Sequence, residues 1–186
     1  MLRFINYSNI CGCKCGKPDR ISPSRQQHAT EPIQRLDGRT PVTHCCSSTR
    51  LLNMSNLVAY VDGGSLGNSG PAGIGIVIDG SSDGTIKINK SIGHHDNNVA
   101  EYVALLEALQ FAVELGARTL HVFSDSEVMV KQMTGEYSCR SSRLYSLHWT
   151  CRKLARSLDF SISHIPREDN VEANRLANSA VRKRVR

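Results

Sequence analysis

The chain has 186 residues, of which 40% are hydrophobic and 22% charged, as is typical of a soluble globular protein. This length suits one domain with a substantial core, and no apolar run approaches the ~18–20 residues that cross a bilayer, which excludes a membrane-spanning protein. The formal net charge of +6 is compatible with a polyanionic partner such as nucleic acid, but it does not indicate a fold.

The basic charge is concentrated at the start of the chain. Residues 1–53 contain 8 Lys and Arg against 3 Asp and Glu, whereas residues 54–181 contain 11 against 14. Four prolines interrupt residues 1–53, which have no sustained apolar period. We therefore predict an irregular, disordered extension over 1–53 and a folded domain over 54–186.

Three interpretations of the extension stay open. Cys11, Cys13 and Cys15, with nearby His and Cys residues, could bind zinc, although C-x-C is tighter than the usual ligand spacing. The segment could instead be a transit peptide, which would direct the protein to an organelle. We favour the third interpretation, in which Met54 is the true start or the extension is not essential.

Cysteine usage indicates the redox compartment. Five of the seven cysteines lie in residues 1–53, and an odd, clustered set does not suit a disulfide framework. We therefore expect a reducing compartment and a cytoplasmic protein.

The rest of the sequence alternates between strand and helix patterns. Three strands joined by Gly-rich and Asp-Gly turns predict an antiparallel meander, and the later strands are separated by helical segments that would act as crossovers. The fold class is therefore α/β with a five-stranded mixed sheet. The predicted strands are 57–62, 73–79, 85–92, 119–124 and 160–165, and the predicted helices are 99–115, 127–133, 143–158 and 171–185.

Three carboxylates occupy positions that are typical of a ligand-binding or catalytic site. Asp62 ends the first strand, where ligands bind in α/β sheets, and the glycines Gly63 and Gly64 would let a substrate approach closely; the alternative is a simple Asp-Gly turn. Glu101 lies on the core-facing side of its helix, where an anion is costly to bury without a cation or hydrogen-bond donors. Its alternative role is in a capping box with Asn98 as the N-cap.

The third carboxylate, Asp125, ends the fourth strand. Its alternative role is the N-cap of the next helix, for which Ser126 would serve equally well. Three acids near one sheet edge cannot comfortably all stay ionised without counter-charge. A hard divalent cation is therefore implied, either Mg²⁺ or Mn²⁺.

The order and spacing of four motifs resemble the type 1 ribonuclease H family, particularly its compact bacterial members. The resemblance covers residues 57–180 and implies the ribonuclease H-like fold, with helices on both faces of the sheet. The matching stretches are Asp62-Gly-Gly-Ser-Leu-Gly-Asn-Ser-Gly-Pro71, Asn97-Asn-Val-Ala-Glu-Tyr102, Ser124-Asp-Ser126 and His164-Ile-Pro-Arg-Glu-Asp-Asn-Val-Glu-Ala-Asn-Arg-Leu-Ala177.

The resemblance implies a function and a set of site residues. The function is metal-dependent hydrolysis of the RNA strand of RNA–DNA hybrids, leaving 5′-phosphate and 3′-hydroxyl ends, with two Mg²⁺ ions at the acids. His164 resembles the family's mobile catalytic histidine. The implied metal ligands are Asp62, Glu101 and Asp125, and the implied minor-groove readers are Gly63, Asn68 and Asn98.

One residue departs from the family pattern. Asn174 stands where the family usually has a fourth Asp, so the sequence predicts a neutral ligand and a weakened second metal site. Glu172 lies about 200° away around the helix and is a poor substitute. The alternative function is therefore a hybrid- or RNA-binding module with weak or no catalysis, and a third possibility is a related nuclease for DNA or structured RNA.

The predicted partner is an RNA–DNA hybrid, with no membrane partner, and we expect a monomer. The chain has no long Lys/Arg-rich protrusion. Five cations near the third helix, with Trp149 among them, form either a modest substrate-facing patch or a solvated helix face.

Overall fold

The computed structural model describes residues 55–82 and 84–182. The predicted extension, with its possible zinc ligands, lies outside these ranges, and the division of the chain at residue 54 stays a prediction. Within the described part of the chain, no helix is both long and apolar enough to cross a membrane. Cys139 and Cys151 are both free thiols.

The architecture is a five-stranded mixed sheet in the order β3-β2-β1-β4-β5. β1 pairs antiparallel with β2, and β2 with β3, whereas β1 pairs parallel with β4, and β4 with β5. The predicted sheet is thus confirmed. The strands are β1 Asn56–Ser65, β2 Pro71–Ser81, β3 Gly84–His94, β4 Thr119–Ser124 and β5 Asp159–His164.

Four helices connect or follow these strands, close to their predicted positions. The first begins two residues earlier than the apolar pattern predicts, because Asp96 caps it by accepting a hydrogen bond from the Val99 amide at 2.9 Å. The helices are α1 Asn97–Glu114, α2 Glu127–Thr134, α3 Ser142–Ala155 and α4 Val171–Arg182, with a short 3-10 helix at Arg167–Asp169.

Glycines let two helices pack closely on opposite faces of the sheet. A Cβ added to Gly63 would lie 2.2 Å from the carbonyl carbon of Ala100 on α1, and one added to Gly75 would lie 2.0 Å from the Ala173 oxygen on α4. Gly63 is paired with Ile74, and successive residues of a strand point to opposite faces. α1 and α4 therefore cover opposite faces, as the family resemblance implies.

The main core lies between the sheet and α1. Ile74, Ile76 and Ile78 alternate along β2 and are fully buried, as are small and branched side chains of α1 spaced three and four apart. This packing fixes α1 over β1. The α1 residues of the core are Val99, Tyr102, Ala104, Leu105, Ala108, Leu109 and Ala112.

Candidate active site

Asp62 lies on β1 at the point where the parallel pairing with β4 ends. The last parallel pair joins Val61 to Ser124, so Asp62 and Asp125 each follow a paired residue on neighbouring strands. β1 itself continues to Ser65 because it stays paired with β2. Asp62 is therefore not the last residue of its strand, contrary to the prediction. It is 8% exposed.

Glu101 lies in the second turn of α1, and its carboxylate is held by two neutral donors. Oε1 accepts a hydrogen bond from Asn97 Nδ2 at 2.9 Å, and Oε2 accepts one from the Ser126 hydroxyl. The capping-box alternative is wrong, because the N-cap is Asp96 and Asn98 lies inside the first turn. The close approach of α1 to Gly63 brings Glu101 towards Asp62.

Asp125 is held by a buried amide that the sequence analysis did not single out. Asn170 Nδ2 donates to Asp125 Oδ1 and to the Val61 carbonyl oxygen, both at 2.9 Å. Asn170 immediately precedes α4 and belongs to one of the family-like stretches, which is the only signal that could have found it. The N-cap of α2 is Ser126, so the alternative capping role for Asp125 is wrong.

The electrostatics of the site disfavour bare carboxylates. The pKa of Asp62 is raised to about 7, mainly by burial and then by the negative charge of Asp125; the Arg167 charge opposes this shift. The pKa of Glu101 is also raised to about 7, mainly by burial, with a further contribution from Asp125; the hydrogen bond from Ser126 opposes it. A cation at this position would relieve both effects.

The three carboxylates line one cleft, of about 230 Å³. Gly63 and Gly64 also line it, and a Cβ added to Gly64 would meet no atom within 4 Å. Asn97 lines the cleft, a position that sequence reasoning missed in favour of its neighbour Asn98. The remaining lining residues are Ser65, Leu66, Arg167, Asn178 and Val181.

Four predicted site residues lie outside the lining of this cleft: Asn68, Asn98, His164 and Asn174. Asn68 is exposed in the turn after β1, and Asn98 is exposed in the first turn of α1. His164 is exposed at the end of β5, where it pairs with Ser124 of β4, two strands from Asp62. The described structure thus brings together the carboxylates and the glycines, while His164, Asn68 and Asn98 surround them at a greater distance.

Asn174 faces a guanidinium. With its amide oxygen turned towards Arg167, Asn174 accepts hydrogen bonds from Nη2 at 2.7 Å and Nε at 3.1 Å. The opposite orientation would place the amide nitrogen against a group that has no acceptor. Arg167 also lies near enough to Asp62 to lower the pKa of that residue. The role of Asn174 as a metal ligand stays a prediction.

The donor set fits a hard divalent cation. Carboxylate oxygens are the ligands that Mg²⁺ takes in proteins, and within residues 55–82 and 84–182 no Lys or Arg forms an ion pair with Asp62, Glu101 or Asp125. In the same ranges, no three His, Cys, Asp or Glu side chains are already grouped to hold one ion. The carboxylates would therefore have to move together around a cation.

Comparison with known proteins identifies the class. Residues 60–180 match the family model described as "Reverse transcriptase-like". Bifunctional protein Rv2228c of Mycobacterium tuberculosis is 38% identical over 128 residues, which are 67% of this chain and 35% of that protein. Ribonuclease HI of Halobacterium salinarum is 38% identical over 125 residues, 66% of this chain and 63% of that protein.

A solved structure agrees with these relatives. LC11-RNase H1, determined in complex with RNA/DNA hybrid, is 35% identical with a TM-score of 0.65, and the match covers 70% of this chain and all of that one. The sheet order and the acidic cleft thus define a ribonuclease H-like protein. The chain belongs to the type 1 ribonuclease H family. It spans about a third of Rv2228c and less than two thirds of the Halobacterium protein.

Replacing Asn170 with Ala is expected to reduce both stability and activity. The change removes the donor to Asp125 and to the Val61 carbonyl, which leaves buried acceptors unpaired at a cost of about 1–3 kcal/mol. Urea denaturation would measure the loss. Gln110→Ala, an exposed amide on α1 outside the cleft lining, is the control, and equal stabilities of the two variants would contradict the positioning role.

Proposed function

We propose that this protein is a metal-dependent endoribonuclease that hydrolyses the RNA strand of RNA–DNA hybrids to 5′-phosphate and 3′-hydroxyl ends. The observation that carries the proposal is the convergence of Asp62, Glu101 and Asp125 on one cleft, where none of the described Lys or Arg residues forms an ion pair with them. The identity to a protein named Ribonuclease HI and to an RNase H1 determined with a hybrid supports the same substrate class.

In this proposal, Asp62, Glu101 and Asp125 hold Mg²⁺, with Mn²⁺ as a possible substitute. When bound, the metal supplies Lewis-acid polarisation of the phosphate and lowers the pKa of a water molecule. Ser126 and Asn97 donate to Glu101, and Asn170 donates to Asp125, so these donors would orient the carboxylates as they move together around the cation.

The remaining predicted residues serve the substrate. The open space beside Gly64 lets the nucleic-acid backbone approach β1 closely. The exposed amides of Asn68 and Asn98 are available to the minor groove, where the 2′-hydroxyl distinguishes RNA from DNA. His164, exposed at the end of β5, assists proton transfer or product release.

A second candidate function rests on Asn174. Its neutral oxygen accepts from Arg167, so this side of the cleft holds a cationic guanidinium where a fourth carboxylate would attract a second metal ion. A protein built in this way could bind hybrids with weak or no catalysis. That candidate predicts metal-independent binding without product.

The deciding experiment uses the full chain and a hybrid labelled on its RNA strand. We expect cleavage with Mg²⁺ or Mn²⁺ and none with a chelator, and slower or no cleavage of single-stranded RNA, double-stranded RNA and double-stranded DNA. Binding without product would favour the second candidate. Preferential cleavage of DNA or structured RNA would assign the related nuclease activity instead.

Replacing Asn174 with Asp is expected to strengthen the binding of the second metal ion. The added negative charge favours a divalent cation, although Arg167 competes for it through a new ion pair. We expect the Mg²⁺ concentration for half-maximal cleavage to fall by about threefold to tenfold, which corresponds to about 1 kcal/mol. A Mg²⁺ titration of cleavage checks this, and an unchanged titration curve would show that the guanidinium neutralises the new carboxylate.

A further inference from the structure

The outer face of α3 exposes two aromatic rings that no described element covers. Tyr145 is 60% exposed and Trp149 is 56% exposed. The inner face of the same helix buries Leu144 and Cys151, and the Cys151 thiol donates to the Tyr102 carbonyl oxygen of α1 at 3.8 Å. Residues four apart lie on the same side of a helix, so the two rings form a continuous apolar surface.

Cations continue this surface along the helix. Arg152, Lys153 and Arg156 are all exposed, and within residues 55–82 and 84–182 none of them forms an ion pair with a carboxylate. Lys153 Nζ lies 5.4 Å from the centroid of the Trp149 ring. We call Tyr145, Trp149, Arg152, Lys153 and Arg156 the α3 stripe.

The charge around the α3 stripe is opposite to that of the rest of the domain. Residues 137–158 contain five Lys and Arg and no Asp or Glu, whereas the other residues of 54–181 contain 6 against 14. Within residues 54–181, the segment that carries the stripe therefore has a net positive charge that would attract a polyanion.

The helix that carries the stripe starts near the candidate active site. Arg143, in the first turn of α3, lies 3.4 Å from Asp96, the N-cap of α1, and the next residue, Asn97, lines the cleft. α3 then runs alongside α1, because His148 makes an edge contact with the Tyr102 ring. From Tyr145 to Arg156 the helix rises about 16 Å. A strand leaving the cleft past Asn97 would therefore come near the first turn of α3, from which the stripe extends along the helix.

We propose that the α3 stripe binds a single-stranded nucleic-acid extension of the substrate as it leaves the cleft. Exposed aromatic faces flanked by cations bind unpaired bases by stacking and phosphates by charge, whereas a duplex keeps its base faces stacked internally. The role of the stripe as an extension of the substrate site rests on the proposed hybrid cleavage.

Trp149 makes the proposal directly measurable, because it is the only tryptophan of the chain. Full-length protein in Mg²⁺-free buffer is titrated with a blunt hybrid and with the same hybrid carrying a six-nucleotide thymidine overhang. We expect the overhang to quench Trp149 fluorescence and to tighten binding about tenfold. Equal affinities without added quenching would overturn the proposal.

Variants separate stacking from charge. We expect Tyr145→Ala with Trp149→Ala, titrated by the anisotropy of dye-labelled hybrids because this variant has no tryptophan, to remove the tenfold gain from the overhang while leaving cleavage of the blunt hybrid unchanged. Tyr137→Ala, an aromatic residue 48% exposed outside α3, is the matched control. Lys153→Gln should reduce the salt dependence of binding to the overhang by about 0.7 in the log–log slope, as expected for one phosphate contact. Loss of the gain in the control as well would overturn the assignment to α3.

Two further outcomes separate the binding role of the α3 stripe from the proposed hybrid cleavage. Quenching by the overhang without hybrid cleavage would support the stripe and overturn the proposed function. Hybrid cleavage without quenching by the overhang would support the proposed function and overturn the role of the stripe. Quenching of equal size by a poly-glutamate peptide of matched charge would overturn the inference in favour of an acidic protein partner.

Discussion

The Asp62→Asn variant is expected to lose hybrid cleavage by roughly 10³-fold, equivalent to about 4 kcal/mol of transition-state stabilisation. Asp62 interacts with both of the other acids, because the charge of Asp125 and, to a lesser extent, that of Glu101 raise its pKa. The Asn variant removes a carboxylate charge that interacts with both neighbouring acids. Single-turnover cleavage of a labelled hybrid at saturating Mg²⁺ measures the effect.

The control for this loss is Asp159→Asn, which removes an exposed carboxylate at the start of β5. We expect its cleavage rate to match that of the wild type. Cleavage by Asp62→Asn at the rate of this control would exclude Asp62 from catalysis.

The same variant should make the metal-free protein more stable above pH 7. The pKa of Asp62 is about 7 in the folded state and 3.8 in the reference state, so the folded protein binds more protons between these values. Wild-type stability therefore falls as pH rises from about 4 to about 7, by on the order of 2–4 kcal/mol. Asn carries no charge and avoids this loss.

Urea denaturation with a chelator at pH 5 and pH 8 tests whether the stability of the metal-free wild type falls as the pH rises. We expect Asp62→Asn to exceed the wild type at pH 8, and Mg²⁺ to stabilise the wild type more than the variant. A wild type that is as stable as the variant at pH 8 without metal would mean that the buried charge is compensated within the protein.

The Gly63→Ala variant is expected to lose about 3 kcal/mol or more of its free energy of unfolding, with a fall of about 10 °C in Tm. The added Cβ would lie 2.2 Å from the Ala100 carbonyl carbon and from the Glu101 amide nitrogen. Both atoms belong to the α1 backbone, so the helix as a whole must move. Glu101 moves with it, and cleavage should fall together with stability.

Gly64→Ala is the matched neighbour. Its Cβ would meet no atom within 4 Å, so its stability should stay within about 0.5 kcal/mol of the wild type. Any loss of cleavage in this variant would then come from the substrate side of the cleft. Thermal unfolding of both variants checks the contrast, and equal Tm values would contradict the close packing of α1 on β1.

The carboxylates were predictable because their positions depend on local periodicity. The positions of Asp62 and Asp125 near the end of a strand pattern, and of a carboxylate on the apolar side of α1, can be read from patterns of period 2 and 3.6, although β1 continues beyond Asp62 to Ser65. Asn170 and Arg167 could not be found in this way. Their partners, Val61, Asp125 and Asn174, depend on how the segment after β5 returns to the sheet.

The alternatives for Glu101 and Asp125 show where local rules mislead. An Asn three residues before Glu101 suggests a capping box, yet Asp96 begins the helix two residues earlier. Competing caps differ by roughly 1 kcal/mol or less, so local preference alone cannot select between them. The packing of α1 against Gly63 selects the register instead.

The sequence by itself determined the α/β class, the strand and helix order and the three acids, because these follow from periodicity and residue chemistry; the exception at Asn174 followed from the resemblance to the family's motif. Only the tertiary structure decided which side-chain donors hold Glu101 and Asp125, that Arg167 faces Asn174, and that α3 begins near the N-cap of α1. These contacts join residues up to 109 positions apart. Their geometry is set by sheet register and helix packing, which no local window contains.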